Sequence, residues 1–370
     1  MKTYNVLFIS LDKDLLDKNS RVFERHKNYS RYFNKLYVSV LSKEENIIRH
    51  ENLETFSFGG SNKLVIFLKL LIKLNKFLKN NKINVISTQD PFFTGIIGVI
   101  LAKKYKIPLN IQVHAEFFSN KYFRKESLKN YLYYFAGKYI IKQANSIRCV
   151  SHYENDNLIS KGLNSYFCPI GIEVKDFNTK RNYDFKNNIL FIGRLTKQKN
   201  IHLLLIVFSR LVQEYNRLKL IIVGDGKIKD KLIYHCKMLN IYNNIEFLIN
   251  KNKKEVIKLI TNSDFVVLPS FYEGWGLVSV EAMATGTPVI MTRTGAGTYL
   301  IRNMQNGIVV DINNEDQLYK AMKLLLTNQE LRERLGKAGQ KTVLKKEWSQ
   351  EYLTKKWINI LEKTAEMRTY

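Results

Sequence analysis

The chain has 370 residues, 45% of them hydrophobic, which suits two domains with full cores and excludes wholesale disorder. The formal net charge is +26. The three cysteines form no Cys-x-x-Cys pair and are odd in number, which argues against a disulfide framework or a zinc site and fits a reducing cytoplasm. The N-terminal residues show no signal-peptide cleavage pattern, and the longest uncharged apolar run is too short to span a bilayer.

Half of the excess positive charge lies in a quarter of the chain. Residues 61–150 contain 16 Lys and Arg against 3 Asp and Glu, a net charge of +13. Within this region, residues 62–82 form a helical pattern with two opposite faces, one basic (Lys69, Lys73 and Lys76) and one apolar (Leu68, Leu71, Ile72 and Leu78). Such a helix can lie on an anionic membrane, or it can pack on a sheet with its lysines in solvent. A chain rich in Lys, Asn and Ile can also gain positive charge through composition alone.

Short β-branched runs alternate with longer helical patterns in two series. The predicted strands of the first series are 5–10, 35–40, 83–88, 109–113 and 146–150. Those of the second series are 188–192, 218–223, 244–248, 264–268 and 288–291. Nearly continuous apolar strands that alternate with helices indicate parallel sheets covered on both faces. The sequence therefore predicts an α/β protein with two doubly wound, Rossmann-like domains.

The break between the two series lies near Pro169-Ile170-Gly171, with a linker running to about Asn182. In open α/β sheets, ligands bind at the carboxyl ends of the strands. With two such domains facing each other, we expect the ligand site in the cleft between them, at residues that follow strands.

The most informative segment is 264–289, DFVVLPSFYEGWGLVSVEAMATGTPV. A buried strand is followed by a loop, and a helix begins near Gly276. Free N–H groups at a helix N-terminus bind phosphate, and glycines let the backbone approach a ligand closely. We predict that the residues of this turn, Gly274, Trp275, Gly276 and Leu277, bind the phosphate end of the ligand.

Two carboxylates lie eight positions apart in this segment. Glu273 is in the loop before the helix, where it can accept hydrogen bonds from sugar hydroxyls. Glu281 is about one turn inside the helix, where it can accept both hydroxyls of a ribose; each such charged hydrogen bond contributes roughly 1.5–3 kcal/mol. The alternative is a pair of exposed glutamates beside an ordinary strand–helix turn, which the surrounding pattern disfavours.

This segment resembles the Glu-x7-Glu motif of glycosyltransferase family 4, and the resemblance is strongest over residues 189–310. It implies the GT-B fold and a retaining transfer of a sugar from a nucleotide-diphosphate donor, favoured as a UDP-sugar over a GDP-sugar, to a hydroxyl acceptor. The acceptor is expected to be a lipid-linked or surface-glycan intermediate. Neither a metal nor a cofactor beyond the nucleotide sugar is expected.

The resemblance also implies a domain organisation. Residues 1–172 would form the acceptor-side domain and residues 173–346 the donor-binding domain. In GT-B folds the last helix usually crosses back, so residues from about 347 to 370 would complete the first domain.

A second match to the family is the run from Phe191 to Asn200, which follows a strand and opens a helix. Gly193 lies at its turn, and Arg194 and Lys199 resemble the family's diphosphate-binding pair. Departure of a nucleotide diphosphate builds negative charge, which fixed cations must stabilise when no metal does. Arg supplies a planar fork and Lys a point charge. An exposed basic loop without this role is the alternative.

Two weaker matches complete the predicted site. Gly224 and Asp225 resemble the family's strand-end turn near the nucleotide, although Gly-Asp-Gly turns are common. His114 ends a predicted strand, as the family's N-domain histidine does. By resemblance His114 would position the donor sugar more than act as a general base, because the leaving phosphate oxygen takes the acceptor's proton.

The loop after the first strand departs from the family. Members commonly have a glycine-rich loop there, whereas residues 10–14 read Ser-Leu-Asp-Lys-Asp. A specialised acceptor side is one explanation. Asp12 and Asp14 also mimic the metal-binding Asp-x-Asp motif of GT-A enzymes, but the rest of the chain follows the GT-B pattern, so no metal site is predicted.

Two rival functions remain at this point. One is a GT-B nucleotide-sugar epimerase, and the other is a non-catalytic basic protein that binds a membrane. We find no nucleic-acid-binding module, so no nucleic-acid partner is predicted. We expect the protein in the cytoplasm, with the basic region 61–150 as a candidate contact with the anionic inner face of the cell membrane.

Overall fold

The computed structural model describes residues 4–177 and 181–367, and within them the first half of the chain forms one eight-stranded sheet. Its order is β3-β4-β2-β1-β5-β6-β7-β8, with every neighbouring pair parallel except the β3–β4 hairpin. The strands are β1 (Asn5–Ser10), β2 (Lys35–Val40), β3 (Glu45–His50), β4 (Leu53–Phe58), β5 (Val85–Thr88), β6 (Leu109–Val113), β7 (Ser146–Cys149) and β8 (Ser165–Phe167).

The second half of the described chain forms a six-stranded sheet of order β11-β10-β9-β12-β13-β14, parallel throughout. Its strands are β9 (Asn188–Ile192), β10 (Lys219–Val223), β11 (Ile245–Leu248), β12 (Phe265–Leu268), β13 (Val289–Thr292) and β14 (Ile308–Val310). The central strands β9 and β12 are nearly all apolar and buried, as strands covered on both faces must be.

Helices connect the strands of both sheets. Those of the first half are α1 (Arg21–Ser30), α2 (Lys63–Asn80), α3 (Phe93–Tyr105), α4 (Lys121–Lys125), α5 (Leu128–Ile141) and α6 (His152–Ile159). Those of the second half are α7 (Ile201–Glu214), α8 (Lys229–Met238), α9 (Lys253–Thr261), α10 (Leu277–Ala284), α11 (Glu315–Thr327), α12 (Gln329–Val343) and α13 (Gln350–Ala365). Side-chain caps fix several starts, such as Asn62 before α2 and Ser349 before α13.

The last helix, α13, packs on the first sheet. Trp357 and Leu361 are buried in the same apolar cluster as Val6 and Phe8 of β1. The guanidinium of Arg148 on β7 lies 4.5 Å from the centre of the Trp357 ring, and this contact fixes the helix against the strand. The final helix thus joins the sheet formed by the start of the chain.

Each of the ten predicted strands corresponds to a strand of the two sheets, within two residues at either end. The sequence analysis missed β3, β4, β8 and β14. Strands β8 and β14 are hard to recognise because they have only three residues, and the edge strand β3 because it exposes most of its side chains. The domain limits 172 and 346 stay predictions. Residues 178–180 of the predicted linker lie outside the described residues, and so do residues 368–370 at the end of the predicted last helix.

Helix α2 corrects one detail of the sequence analysis. The helix packs through Leu70, Leu74 and Leu78, whereas Leu68 and Ile72, predicted on the apolar face opposite the lysines, are exposed. Among the described residues, no helix combines the length and apolar character needed to traverse a bilayer.

Candidate active site

Two loops at the carboxyl ends of β9 and β12 form one unit. They span residues 193–200 and 269–276, and they meet because β9 and β12 are neighbours in the sheet. The backbone N–H of Phe271 donates to the carbonyl of Gln198 at 2.8 Å, and the Gln198 side chain donates to the carbonyl of Tyr272 at 2.9 Å. The two predicted motifs, which lie some 70 residues apart in sequence, are therefore adjacent in space.

An ion pair joins the two loops. The ammonium of Lys199 contacts Oε1 of Glu273, and the hydroxyl of Ser270 donates to the same oxygen at 2.7 Å. Glu273 is only 5% exposed, so the pair is held in a largely dry setting. A lysine ammonium has three donors and a carboxylate has several acceptor positions. Both groups therefore retain capacity to bind a ligand in the position that the ion pair fixes.

The turns after β9 and β10 are in direct backbone contact. Gly224 adopts a φ of +146°, and a Cβ there would lie 2.0 Å from the carbonyl oxygen of Gly193, so only glycine fits. The N–H of Leu195 donates to the carbonyl of Asp225 at 2.8 Å. The Asp225 carboxylate accepts from the N–H of Gly226. These contacts set the position of Arg194, whose side chain is exposed at the same strand ends.

Helix α10 begins beside Glu273. Its N-cap, Gly276, has a φ of +72° in the left-handed region and has no side-chain oxygen to cap the first turn. The N–H groups around Leu277 therefore point from the helix N-terminus without side-chain capping, a geometry suited to phosphate. Glu281 is partly buried on this helix, and burial raises the pKa of its carboxyl, opposed by the charges of Lys253 and Arg21.

The side chain of Trp275 packs against other aromatic side chains. Its indole stacks on Trp348 at a ring separation of 5.6 Å and packs edge-on against Phe167. The side chain thus belongs to an aromatic cluster between the two halves of the chain. This packing leaves only the backbone of Trp275 beside the N-terminus of α10.

The loop after β6 packs directly on the loop that carries Glu273. A Cβ on Gly274 would lie 1.9 Å from the carbonyl oxygen of His114, so a glycine is required for this approach. The N–H of Glu116 donates to the carbonyl of Glu273 at 3.2 Å, and the N–H of Gly295 donates to the Glu116 carboxylate at 2.8 Å. His114 is thereby held next to Glu273 although they belong to different sheets.

Two family profiles together match most of the chain. Residues 174–342 match the profile described as glycosyl transferases group 1, and residues 30–174 match that of glycosyltransferase family 4. An uncharacterized glycosyltransferase of Methanocaldococcus jannaschii is 30% identical over 308 residues, which cover 82% of each protein. The chain belongs to glycosyltransferase family 4.

Two further similarities extend this assignment. The Escherichia coli UDP-Gal:alpha-D-GlcNAc-diphosphoundecaprenol alpha-1,3-galactosyltransferase is 28% identical over 280 residues, 70% of each chain. A crystal structure of the Anabaena protein HepE in complex with UDP-glucose superposes with a TM-score of 0.77 at 15% identity, covering 98% of this chain and all of HepE. The two-sheet architecture of this glycosyltransferase is thus the GT-B fold.

His114 of the glycosyltransferase has the electrostatics of a neutral imidazole. Burial first, and then the nearby charges of Arg148 and Arg25, lower the pKa of its imidazole to about 3. The ring lines a small cavity of about 50 Å³ together with both arginines. A neutral imidazole offers one donor and one acceptor to a ligand. A pKa this low makes it a weak base at neutral pH.

Glu116 was not singled out in the sequence, yet it connects the two halves of the glycosyltransferase. Its carboxylate accepts from Gly295, from Ser151 at 3.0 Å and from Asn120 at 3.2 Å. Burial raises the pKa of Glu116 to about 7, despite these hydrogen bonds, which lower it. Asn120 also donates to the carbonyl of Phe271 at 2.9 Å.

The predicted residues of the glycosyltransferase fall into one main cluster. The structure brings together Gly193, Arg194, Lys199, Glu273 and the start of α10, with the Gly224 turn against Gly193. The backbone of His114 lies against Gly274, whereas its ring lines the small cavity beside Arg25 and Arg148. Sequence reasoning missed Ser270, which lies inside the segment 264–289, and Glu116, which lies two positions after His114. It also missed Arg25 and Arg148, which come from α1 and β7 and carry no local sequence signal.

Proposed function

We propose that this glycosyltransferase moves a sugar from a UDP-sugar to a hydroxyl group of a lipid-linked or surface-glycan intermediate, with the anomeric configuration retained. The observation that carries the proposal is the ion pair between Lys199 and Glu273. It supports the proposal because the ammonium that would bind the diphosphate lies beside the carboxylate that would bind the sugar, next to the N-terminus of α10.

The donor would be held by three kinds of contact. Arg194, Lys199 and the first N–H groups of α10 would bind the diphosphate. Glu281 would accept hydrogen bonds from the ribose, and Glu273 from the sugar. The backbone turn of Gly224 and Asp225 would support this site near the nucleotide. A UDP-sugar is favoured because the E. coli relative is named for UDP-Gal and HepE is seen with UDP-glucose.

The transfer would take place on one face of the sugar. The bond from the anomeric carbon to the diphosphate breaks, a bond to the acceptor oxygen forms on the same face, and the acceptor's proton passes to the leaving phosphate oxygen. Lys199 and Arg194 would stabilise the charge that develops on the diphosphate. His114 would position the sugar, in keeping with the low pKa of its imidazole.

Metal independence is part of the proposal. Asp12, in the motif that mimics a metal site, accepts from the N–H of Asp14 at 3.2 Å and so caps its own turn. We expect turnover to persist in excess EDTA. Loss of activity that added Mg²⁺ restores would contradict this part.

The proposal also covers location and domain limits. We propose a cytoplasmic protein whose basic region 61–150 is a candidate contact with the inner face of the cell membrane. Its acceptor domain would comprise residues 1–172, completed by the last helix, and its donor domain residues 173–346. The packing of α13 on the first sheet supports this division.

A thermal-shift screen of nucleotide sugars tests the donor half directly. A ligand at 100 times its dissociation constant adds about 2.7 kcal/mol to the free energy of unfolding. We expect a UDP-sugar to raise the melting temperature most. No shift with any nucleotide sugar would favour the non-catalytic rival. Conversion of the donor to an epimer without any acceptor would favour the epimerase.

A further inference from the structure

The loop that departs from the family contributes to a second cavity, on the first sheet. This cavity has a volume of about 440 Å³ and collects residues that follow β1, β2, β5 and β6, together with the first turns of α2 and α5. Leu11 and Lys13 of the loop without glycine both line it. The cavity lies at the carboxyl ends of four strands, where ligands of α/β proteins bind.

The lining of this cavity combines two kinds of chemistry. Four lysines surround it, one from each of four segments: Lys13, Lys43, Lys63 and Lys129. The walls between them are apolar, with Leu11, Leu41, Ile66, Phe92, Phe93 and Phe117. The two remaining lining residues are Asp90 and Tyr133, and the ammonium of Lys129 lies 5.0 Å from the centre of the Tyr133 ring. The ligand that fits is part anion and part hydrocarbon.

The charge of the cavity is strongly positive. None of the four lysines forms an ion pair with a carboxylate in residues 4–177 and 181–367. The acid in the lining is Asp90, whose Oδ1 accepts from the N–H groups of Phe92 at 2.7 Å and Thr94 at 3.3 Å. Its Oδ2 has no hydrogen-bond partner within the part of the chain that the structure describes, and the four lysines outnumber this one carboxylate, so the lining keeps a net positive charge.

The outer surface next to the cavity is apolar. Leu64 follows the rim residue Lys63 and begins an exposed row on α2 with Leu68 and Ile72. Leu128 precedes the rim residue Lys129 and begins an exposed row on α5 with Leu132 and Phe135. Side chains at the two rims are 67% (Leu64) and 75% (Leu128) exposed. Helix α3 packs against both of these helices and adds exposed Ile96 and Ile100.

Continuous apolar side chains flanked by lysines are the surface that an amphipathic helix offers to a bilayer with anionic headgroups. A soluble sugar phosphate would satisfy the lysines but not the apolar walls or the apolar rim. A lipid phosphate satisfies all three, because its hydrocarbon chain can leave the cavity along the exposed rows toward the membrane.

We propose that the cavity rimmed by Lys13, Lys43, Lys63 and Lys129 binds the phosphate or diphosphate group of a membrane-embedded lipid acceptor, with the first hydrocarbon units against Leu11, Ile66 and Phe93. This inference rests on the proposed sugar transfer and specifies its acceptor. The loop after β1 has no glycine because it contributes an apolar and a basic side chain to this site.

Isothermal titration calorimetry of the full chain with farnesyl diphosphate tests the site. Inorganic pyrophosphate and farnesol serve as the two half-ligands. We expect farnesyl diphosphate to bind at least about 10-fold more tightly than either half, since the lysines and the apolar walls both contribute. Equal affinity for farnesyl diphosphate and pyrophosphate would overturn the proposal.

Paired variants give a matched control. Lys63→Ala with Lys129→Ala removes one rim lysine from α2 and one from α5, and we expect at least about a 10-fold loss of farnesyl diphosphate affinity. Lys79→Ala with Lys142→Ala removes one exposed lysine from the other end of each helix and should leave the affinity unchanged. Equal losses in the two pairs would indicate general charge attraction and overturn the site.

The apolar wall has its own test. Leu11→Ser, at a side chain that is 44% exposed, should weaken farnesyl diphosphate several-fold and leave pyrophosphate unchanged. The same loss for both ligands would overturn the role of the wall. Stabilisation by a UDP-sugar should persist in all these variants, so failure of the acceptor site can be told from failure of the donor proposal.

Discussion

On the proposed donor side of the cleft, Lys199 and Ser270 both contact one carboxylate oxygen of Glu273, and glycine turns hold the loops in backbone contact. On the proposed acceptor side, Lys63 and Lys129 line a largely apolar cavity without forming an ion pair with any carboxylate of the described residues. This difference fits the two ligands that we propose. A site that stabilises developing charge needs fixed groups, because fixed groups cost no reorganisation during reaction. A site for a lipid phosphate needs accessible charge beside apolar surface.

Removing either partner of the Lys199–Glu273 ion pair should have the largest effect on kcat. We expect Glu273→Ala or Lys199→Ala to lower kcat at least about 100-fold with the fold intact, since loss of one group that stabilises the transition state costs roughly 2.7–4 kcal/mol. Lys197→Ala removes an exposed lysine two positions earlier and should change kcat little. Near-normal turnover in either ion-pair variant would refute the assignment.

A substitution of Gly274, at the contact between the two sides, should have the next largest effect on kcat. A methyl group on Gly274 would collide with the carbonyl of His114, so Gly274→Ala should push the two loops apart and lower kcat at least about 10-fold. Small-angle scattering should show a more open molecule. Gly162→Ala, where nothing lies within 4 Å, should cost only backbone strain of about 1 kcal/mol and no turnover. An unchanged kcat in Gly274→Ala would mean that this contact does not shape the site.

The buried carboxyl between the two sides predicts a pH dependence of stability. Burial raises the pKa of Glu116 from 4.5 to about 7, so its carboxyl binds a proton more readily in the folded than in the unfolded chain. The free energy of unfolding should therefore fall as pH rises from about 4.5 to about 7, by up to roughly 3 kcal/mol from this group. Glu154, also raised to about 7 by burial, acts in the same direction.

Urea unfolding at pH 5 and pH 8 measures this dependence. Glu116→Gln stays neutral at both values, so its free energy of unfolding should fall less between them than that of the wild type. Identical pH slopes for the two proteins would show that Glu116 ionises normally in the folded state.

Removing a single hydrogen bond across the cleft should have the smallest effect on kcat. The hydroxyl of Tyr272 donates to the carboxylate of Glu126. Tyr272→Phe removes this contact, worth roughly 1.5–3 kcal/mol of stability, and should lower kcat by less than about 10-fold while UDP affinity is kept. Tyr242→Phe, at an exposed tyrosine before β11, is the control. A loss of UDP affinity would place Tyr272 on the donor instead.

The parts of the fold and site that could be predicted are those encoded by neighbouring residues. Strand β12, the following loop and α10 are consecutive in sequence. One segment was therefore enough to predict a helix N-terminus for phosphate beside two glutamates for hydroxyl groups. The pairing of Lys199 with Glu273 could not, because it depends on β9 and β12 being neighbours in the sheet. The lysine-rimmed cavity was also out of reach, since it gathers side chains after four separate strands.

Titration of the protein with UDP tests the central claim most directly, because it measures the donor site without requiring the acceptor. We predict that wild type and Lys197→Ala bind UDP with the same affinity, and that Lys199→Ala and Arg194→Ala each weaken it at least about 10-fold, through loss of a charged contact to the diphosphate. The same affinity in all four proteins would contradict the account.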